Sequence, residues 1–260
     1  MKNVNDFIDK ENNPLKNVAQ DGGFTSIFRT LGCIGDSLAS GEHEYVKNGK
    51  TEYYDMYEYS WGQFIARKCG LKAYNFSVGG LTAKGFHNLA FIQKAYTKEK
   101  ECQAYIIALG VNDMNHLNET YSRGFGSLAD IDFDHPENNA DSFAGWYVKI
   151  IQNIRAIPSA NSKIFLVTMP TEKNNGELCD KHAEFVRSLP TVFKNVYVID
   201  LRKYAFYNDE FENSLKLGGH LNAMGYKYTA DVLAGYIDYI IRENPEEFKE
   251  VAFIGKEANL

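Results

Sequence analysis

Phe28-Arg29-Thr30-Leu31-Gly32-Cys33-Ile34 is an apolar run of strand length, and it stops at the turn formers Gly35-Asp36-Ser37. Downstream, Trp61, Phe64, Ile65 and Cys69 recur at intervals of three and four, which marks one face of a helix. The same sequence of strand, polar turn and helix repeats along the chain. Ala73 to Phe76 predicts a second strand, Lys84 to Tyr96 a helix, and Ala104 to Leu109 a third strand. A long polar segment from Asn112 to Asn139 reads as an insertion. Phe143, Trp146, Tyr147, Ile150, Ile151 and Ile154 then line one side of a helix from about Asp141 to Ile157, which Pro158 closes. Lys163 to Thr168 and Asn195 to Ile199 are the last two strands, with helices over Gly176 to Leu189 and Ala223 to Arg242. This alternation predicts an α/β fold, a three-layer α/β/α sandwich around a five-stranded, mostly parallel sheet. No Gly-, Pro- or Ser-rich boundary divides it. One domain is therefore expected over residues 28–245, with polar extensions at 1–27 and 246–260 and the insertion at about 112–140.

Composition narrows the functions open to such a domain. The 260 residues hold 28 Lys plus Arg against 34 Asp plus Glu, a net charge of −6, and no dense basic run. Neither nucleic acid nor an anionic membrane surface is an expected partner. With 44% hydrophobic residues the chain can bury a large core, which excludes disorder. Its longest apolar runs, such as Ala104 to Ala108 and Ile164 to Val167, fall far short of the roughly 18 residues of a membrane span. The opening MKNVNDFIDKENNPLK carries acids and asparagines where a secretory leader needs about 7–15 apolar residues, so a cytoplasmic location is expected. Cys33, Cys69, Cys102 and Cys179 are scattered, form no C-x-x-C pair, and read as free thiols.

Parallel sheets take their ligands at the carboxyl ends of the strands. Gly35-Asp36-Ser37-Leu38 follows the first strand, Asn75-Phe76-Ser77-Val78-Gly79-Gly80 the second, and Gly110-Val111-Asn112-Asp113 the third. Gly218-Gly219-His220-Leu221-Asn222 precedes the last helix. Singly, each has a plainer reading as a turn, a close-packed glycine pair or a helix cap. Together they supply a serine, backbone amides, a side-chain amide and a histidine, the groups that acyl transfer uses. Neither a G-x-x-x-x-G-K-[ST] phosphate loop nor a G-x-G-x-x-G dinucleotide fingerprint is present, and no cofactor is expected.

These four ordered blocks resemble those of the GDSL, or SGNH, hydrolases, a family with a flavodoxin-like sheet. The resemblance spans Leu31 to about Tyr228. It implies that Ser37 is the nucleophile and His220 the general base. It further implies that the Gly80 amide, the Asn112 side chain and the Ser37 amide form the oxyanion hole. Asp36 and Asp113 read as acids that fix their own loops. The family pattern usually places an Asp three residues before the histidine, where this chain has Leu217. An acid there orients the imidazole, and its loss costs about 10⁴-fold in the serine-protease template. Three outcomes follow. The Leu217 backbone carbonyl takes the ring N–H in a Ser-His dyad, which is the favoured reading; an upstream acid such as Asp209, Glu210 or Glu212 replaces it; or the protein is a non-catalytic binding module.

Two polar, aromatic segments are expected to overhang the site. One runs from Ala39 to Tyr59 and the other from Met114 to Asn139. Glu42, His43 and Tyr45 in the first, with Asp113 and Asn222, are candidate substrate-binding residues. Such a surface suits a sugar or another small polar alcohol better than a lipid tail. Asp130, Asp132 and Asp134 alternate near His116 and His135, but the run lacks the Gly and Glu of an EF-hand loop, so no calcium site is expected. Glu42-His43-Glu44 reads as solvated rather than as a metal site. The expected activity is a serine esterase removing short acyl groups, acetyl foremost, from a carbohydrate or similar ester, with an acyltransferase as a further alternative.

Overall fold

The computed structural model describes residues 21–88, 101–157, 161–170, 176–204 and 213–256. The main sheet is built from β1 (Thr30–Gly35), β4 (Lys72–Ser77), β5 (Ala104–Ala108), β6 (Lys163–Val167) and β7 (Val196–Ile199). All of its pairings are parallel, in the order β4-β1-β5-β6-β7. Strand side chains alternate between faces, so each strand feeds two cores. Leu31, Cys33, Ala104 and Ile106 face α2 (Trp61–Cys69) and the long last helix, α9 (Ala223–Glu243). Ile34, Tyr105 and Ile107 face α6 (Phe143–Arg155) and α7 (Gly176–Ser188) on the other side. These are the three layers that the alternation predicts.

Local chemistry sets the helix ends. Ser60 caps α2 by accepting from the Gln63 N–H at 3.2 Å, and Gly70 closes it at φ 65. Ser142 and Asn222 cap α6 and α9 in the same manner, at 3.1 and 3.0 Å. Pro158 lies outside the described residues, as does the part of the Lys84 to Tyr96 helix beyond residue 88. What is described of that helix is α3 (Ala83–Phe86).

The segment after the nucleophile turn is a hairpin, β2 (Glu42–Lys47) and β3 (Lys50–Asp55), and both expected polar extensions change where they are described. Asn48 and Gly49 join its strands with φ values of 54 and 75, the left-handed pair that a two-residue hairpin turn requires. Residues 246–256 are no polar tail, because Phe248, Val251 and Ile254 recur every third position and are buried against the α9 core. The segment just before β1 is likewise docked: Thr25 Oγ1 donates to the Ala234 carbonyl at 2.7 Å, and the Phe24 N–H to Asp238 at 2.8 Å.

Candidate active site

The nucleophile turn is built by its own residues. Ser37 opens α1 (Ser37–Ser40), a single turn whose N-cap is Asp36. Asp36 Oδ1 accepts from the Leu38 N–H at 3.0 Å. Gly35 is required because a Cβ there would stand 2.9 Å from the Ala108 carbonyl of the neighbouring strand. Gly41, at φ 79, ends the turn and starts β2. In the next loop, Asn75 Oδ1 accepts from the Ser77 N–H at 2.9 Å and holds the bend before Gly79-Gly80. Gly80 sits at φ 72, and its N–H makes no hydrogen bond among the described residues. Asn112, in α4 (Val111–Asn115), extends Nδ2 to Asp36 Oδ2 at 3.4 Å and to the Leu81 carbonyl at 3.3 Å. Its amide thus joins the nucleophile turn to the glycine loop through two long contacts.

His220 arrives on a second, very short hairpin, β8 (Lys216–Leu217) and β9 (His220–Leu221), turned by Gly218-Gly219. Its Nδ1 meets Glu44 Oε1 at 2.6 Å, and the same oxygen accepts the Gly219 N–H at 2.9 Å. A Cβ at Gly218, which has φ 67, would collide with the Glu44 carboxylate. Leu217 is therefore not the group that orients the imidazole. It is the ladder partner of His220, the residue is 49% exposed, and the ring nitrogen reaches across to β2 instead. Asp209, Glu210 and Glu212 lie outside the described residues. The other ring nitrogen, Nε2, lies 3.1 Å from Glu42 Oε1. Strand alternation explains both contacts, since residues 42 and 44 share one face of β2. The Tyr226 hydroxyl on α9 ties this hairpin down by donating to the Glu42 carbonyl at 2.6 Å.

Burial tunes the acids around this edge. It pushes the Asp36 carboxyl up to about 7, against the pull of the Leu38 N–H. It pushes Asp113 up to about 6, although Tyr121 and the Ala83 N–H both donate to that carboxylate. Burial likewise raises Glu42 above the ordinary carboxylate range, with His220 opposing the shift.

The GDSL-like Lipase/Acylhydrolase family matches residues 33–228, well over half of the chain. The chain belongs to that family. No curated protein matches it. Solved structures share its fold at low identity. A family two carbohydrate esterase from Clostridium thermocellum in complex with cellohexaose aligns at 17% identity and TM-score 0.56, covering 84% of this chain and 65% of the other. Est24, a carbohydrate acetylesterase from Sinorhizobium meliloti, aligns at 16% identity and TM-score 0.51, covering 82% of this chain and 99% of the other. A family 3 carbohydrate esterase from Clostridium thermocellum aligns at 16% identity and TM-score 0.52, covering 83% and 98%.

In this acylhydrolase, β4, β1 and β5 are neighbours, so Ser37, Gly80 and Asn112 emerge at one sheet edge. The Glu42 and Glu44 contacts bring His220 to that edge as well. Three of the candidate substrate contacts serve structure instead. Asp113 is fully buried and pins α3 to α4. Asn222 spends both side-chain ends on the α9 cap and the Ser214 carbonyl. His43 turns to the opposite face of β2 from Glu42, bonds the Gly41 carbonyl at 2.9 Å and packs on Tyr226. Tyr45 shares that opposite face and is exposed. Tyr53, the cross-strand partner of Glu44, instead stands edge-on to His220 with centroids 5.8 Å apart.

The insertion is likewise occupied with its own packing. Tyr121 is buried against Asp113, Asp130 closes a cap with Ser127, and Asp132 holds the His135 and Asp134 N–H groups. The residue that sequence reasoning missed is Glu44. What the sequence does offer is the strand that carries it, Glu42-His43-Glu44 followed by Asn48-Gly49, an alternating stretch leading into a hairpin turn.

Proposed function

We propose that the chain is a serine ester hydrolase that removes short acyl groups, acetyl foremost, from a carbohydrate or another small polar alcohol. The observation that carries this reading is the 2.6 Å contact between His220 Nδ1 and Glu44, which gives the imidazole an acid at the edge that holds Ser37. A carboxylate there fixes the ring tautomer and stabilises the imidazolium formed in catalysis. It also removes the reason, drawn from Leu217, to favour a non-catalytic module.

In the reaction, His220 Nε2 takes the Ser37 proton as Oγ attacks the ester carbonyl. The Gly80 and Ser37 N–H groups and Asn112 Nδ2 receive the developing oxyanion. His220 returns the proton to the departing alcohol, and water then hydrolyses the acyl-enzyme. Substrate must re-aim two groups, since Nε2 rests against Glu42 and Asn112 Nδ2 against Asp36 and Leu81. Support for a carbohydrate comes from fold neighbours described as carbohydrate esterases, one of them in complex with cellohexaose. The carboxylates and the Tyr53 ring around His220 give the same edge a polar, aromatic character.

The test is hydrolysis of p-nitrophenyl acetate and of an acetylated sugar by the wild type, Ser37→Ala and His220→Ala. Turnover that collapses in both variants supports the proposal. Turnover that survives Ser37→Ala overturns it.

A further inference from the structure

The proposed reaction leaves one group at this edge unused. Glu42 is 16% exposed and spans two parts of the machinery. Oε1 stands 3.1 Å from His220 Nε2, and Oε2 lies so close over Gly79 that a Cβ there would collide with it. The carboxylate thus occupies the space between the general base and the oxyanion loop. Glu44 is different: it accepts from both Nδ1 of the ring and the Gly219 N–H, and it faces the rear of His220. Among the described residues no N–H or O–H group hydrogen-bonds the Glu42 carboxylate, its approach to Nε2 being a close contact, and Asp55 and Glu44 add like charge beside it.

Nε2 must be free of a proton to take that of Ser37, so the neutral ring offers Glu42 no donor, and acylation turns Nε2 from Glu42 to the Ser37 hydroxyl. Glu42 stays next to the position of the departing alcohol, because that alcohol must lie within reach of Nε2 to be protonated. A part-buried carboxylate without a donor is costly, and a site built around one discriminates strongly against a ligand that brings none.

We infer that Glu42 is a specificity-determining residue that selects esters whose alcohol carries a second hydroxyl next to the ester oxygen, as a partly acylated diol or sugar does. This rests on the serine-hydrolase reading above. No atom is transferred in this contact: the free hydroxyl of the substrate donates to the Glu42 carboxylate while the neighbouring oxygen leaves. Esters of simple alcohols offer nothing there and leave the carboxylate unpaired in the transition state.

The experiment compares ethylene glycol monoacetate with n-propyl acetate, which match in size and differ by the terminal hydroxyl. kcat/KM is measured for both with the wild type, Glu42→Ala, Glu42→Gln and Ser37→Ala. The wild type is expected to favour the glycol ester by about tenfold or more. Glu42→Ala should bring that ratio close to one, whatever its absolute rates, and Glu42→Gln, which keeps an acceptor oxygen, should retain part of it. A wild type without preference, or a preference unchanged in Glu42→Ala, overturns the inference while leaving the hydrolase reading intact. No turnover, or turnover that persists in Ser37→Ala, removes the hydrolase reading and this inference with it.

Discussion

The serine and the histidine of the candidate site are held by opposite strategies. The Ser37 turn is closed by neighbours in sequence: Asp36 binds the N–H two residues on, and Gly35 and Gly41 supply the tight entry and exit. His220 depends on an acid 176 positions away, presented by a hairpin that is itself tied to α9 through Tyr226. A local turn keeps its shape as long as its own few residues are present. A long-range clamp can be moved to another strand, provided that some carboxylate still reaches Nδ1. The difference explains how the position three residues before the histidine can be leucine in a chain that keeps the other blocks of the family.

The most severe break removes either end of the pair. Ser37→Ala and His220→Ala should each lower turnover of a short acyl ester by on the order of 10⁴-fold or more. Next comes the clamp: Glu44→Gln should lower turnover by about 10²–10⁴-fold, because the amide cannot stabilise the imidazolium as a carboxylate does. Leu217→Ala should stay near wild type under the same assay. On the serine side, Asn112→Ala should cost about 10²–10³-fold, the usual loss for one oxyanion donor, with KM moving less than kcat. Tyr226→Phe removes the hydroxyl that ties β2 to α9 and should lower unfolding free energy by about 1 kcal/mol, read from chemical denaturation.

The gentlest probe is Asp36. Its carboxyl is raised to about 7 by burial, so between the unfolded value near 4 and about pH 7 the folded chain holds a proton that the unfolded chain has released. Its contribution to stability therefore falls as pH rises through that window. Asp36→Asn keeps an acceptor for the Leu38 N–H and should flatten that slope in denaturation curves taken from pH 4 to pH 8.

The same contrast governs what could be read from the chain. Strand runs such as Ala104 to Leu109 and Lys163 to Thr168 carry their burial in their composition, and the observed strands match them to within a residue. The caps Ser60, Ser142 and Asn222 act within three residues of themselves. Glu44 was visible only as one acid among many in a polar stretch, because nothing in local spacing says which distant ring a strand face will meet. Phe248, Val251 and Ile254 were missed for a related reason: three apolar residues among charges look like a tail until a core is there to receive them.

Glu44, and not the Leu217 backbone, holds His220, and the imidazole N–H proton resonances of the folded protein report on that contact. A downfield Nδ1–H signal, assigned by its loss in His220→Ala, should persist in Leu217→Ala and in Glu42→Gln and should disappear or move far upfield in Glu44→Gln. A signal unchanged in a folded Glu44→Gln protein would contradict the account and return the orienting role to the backbone.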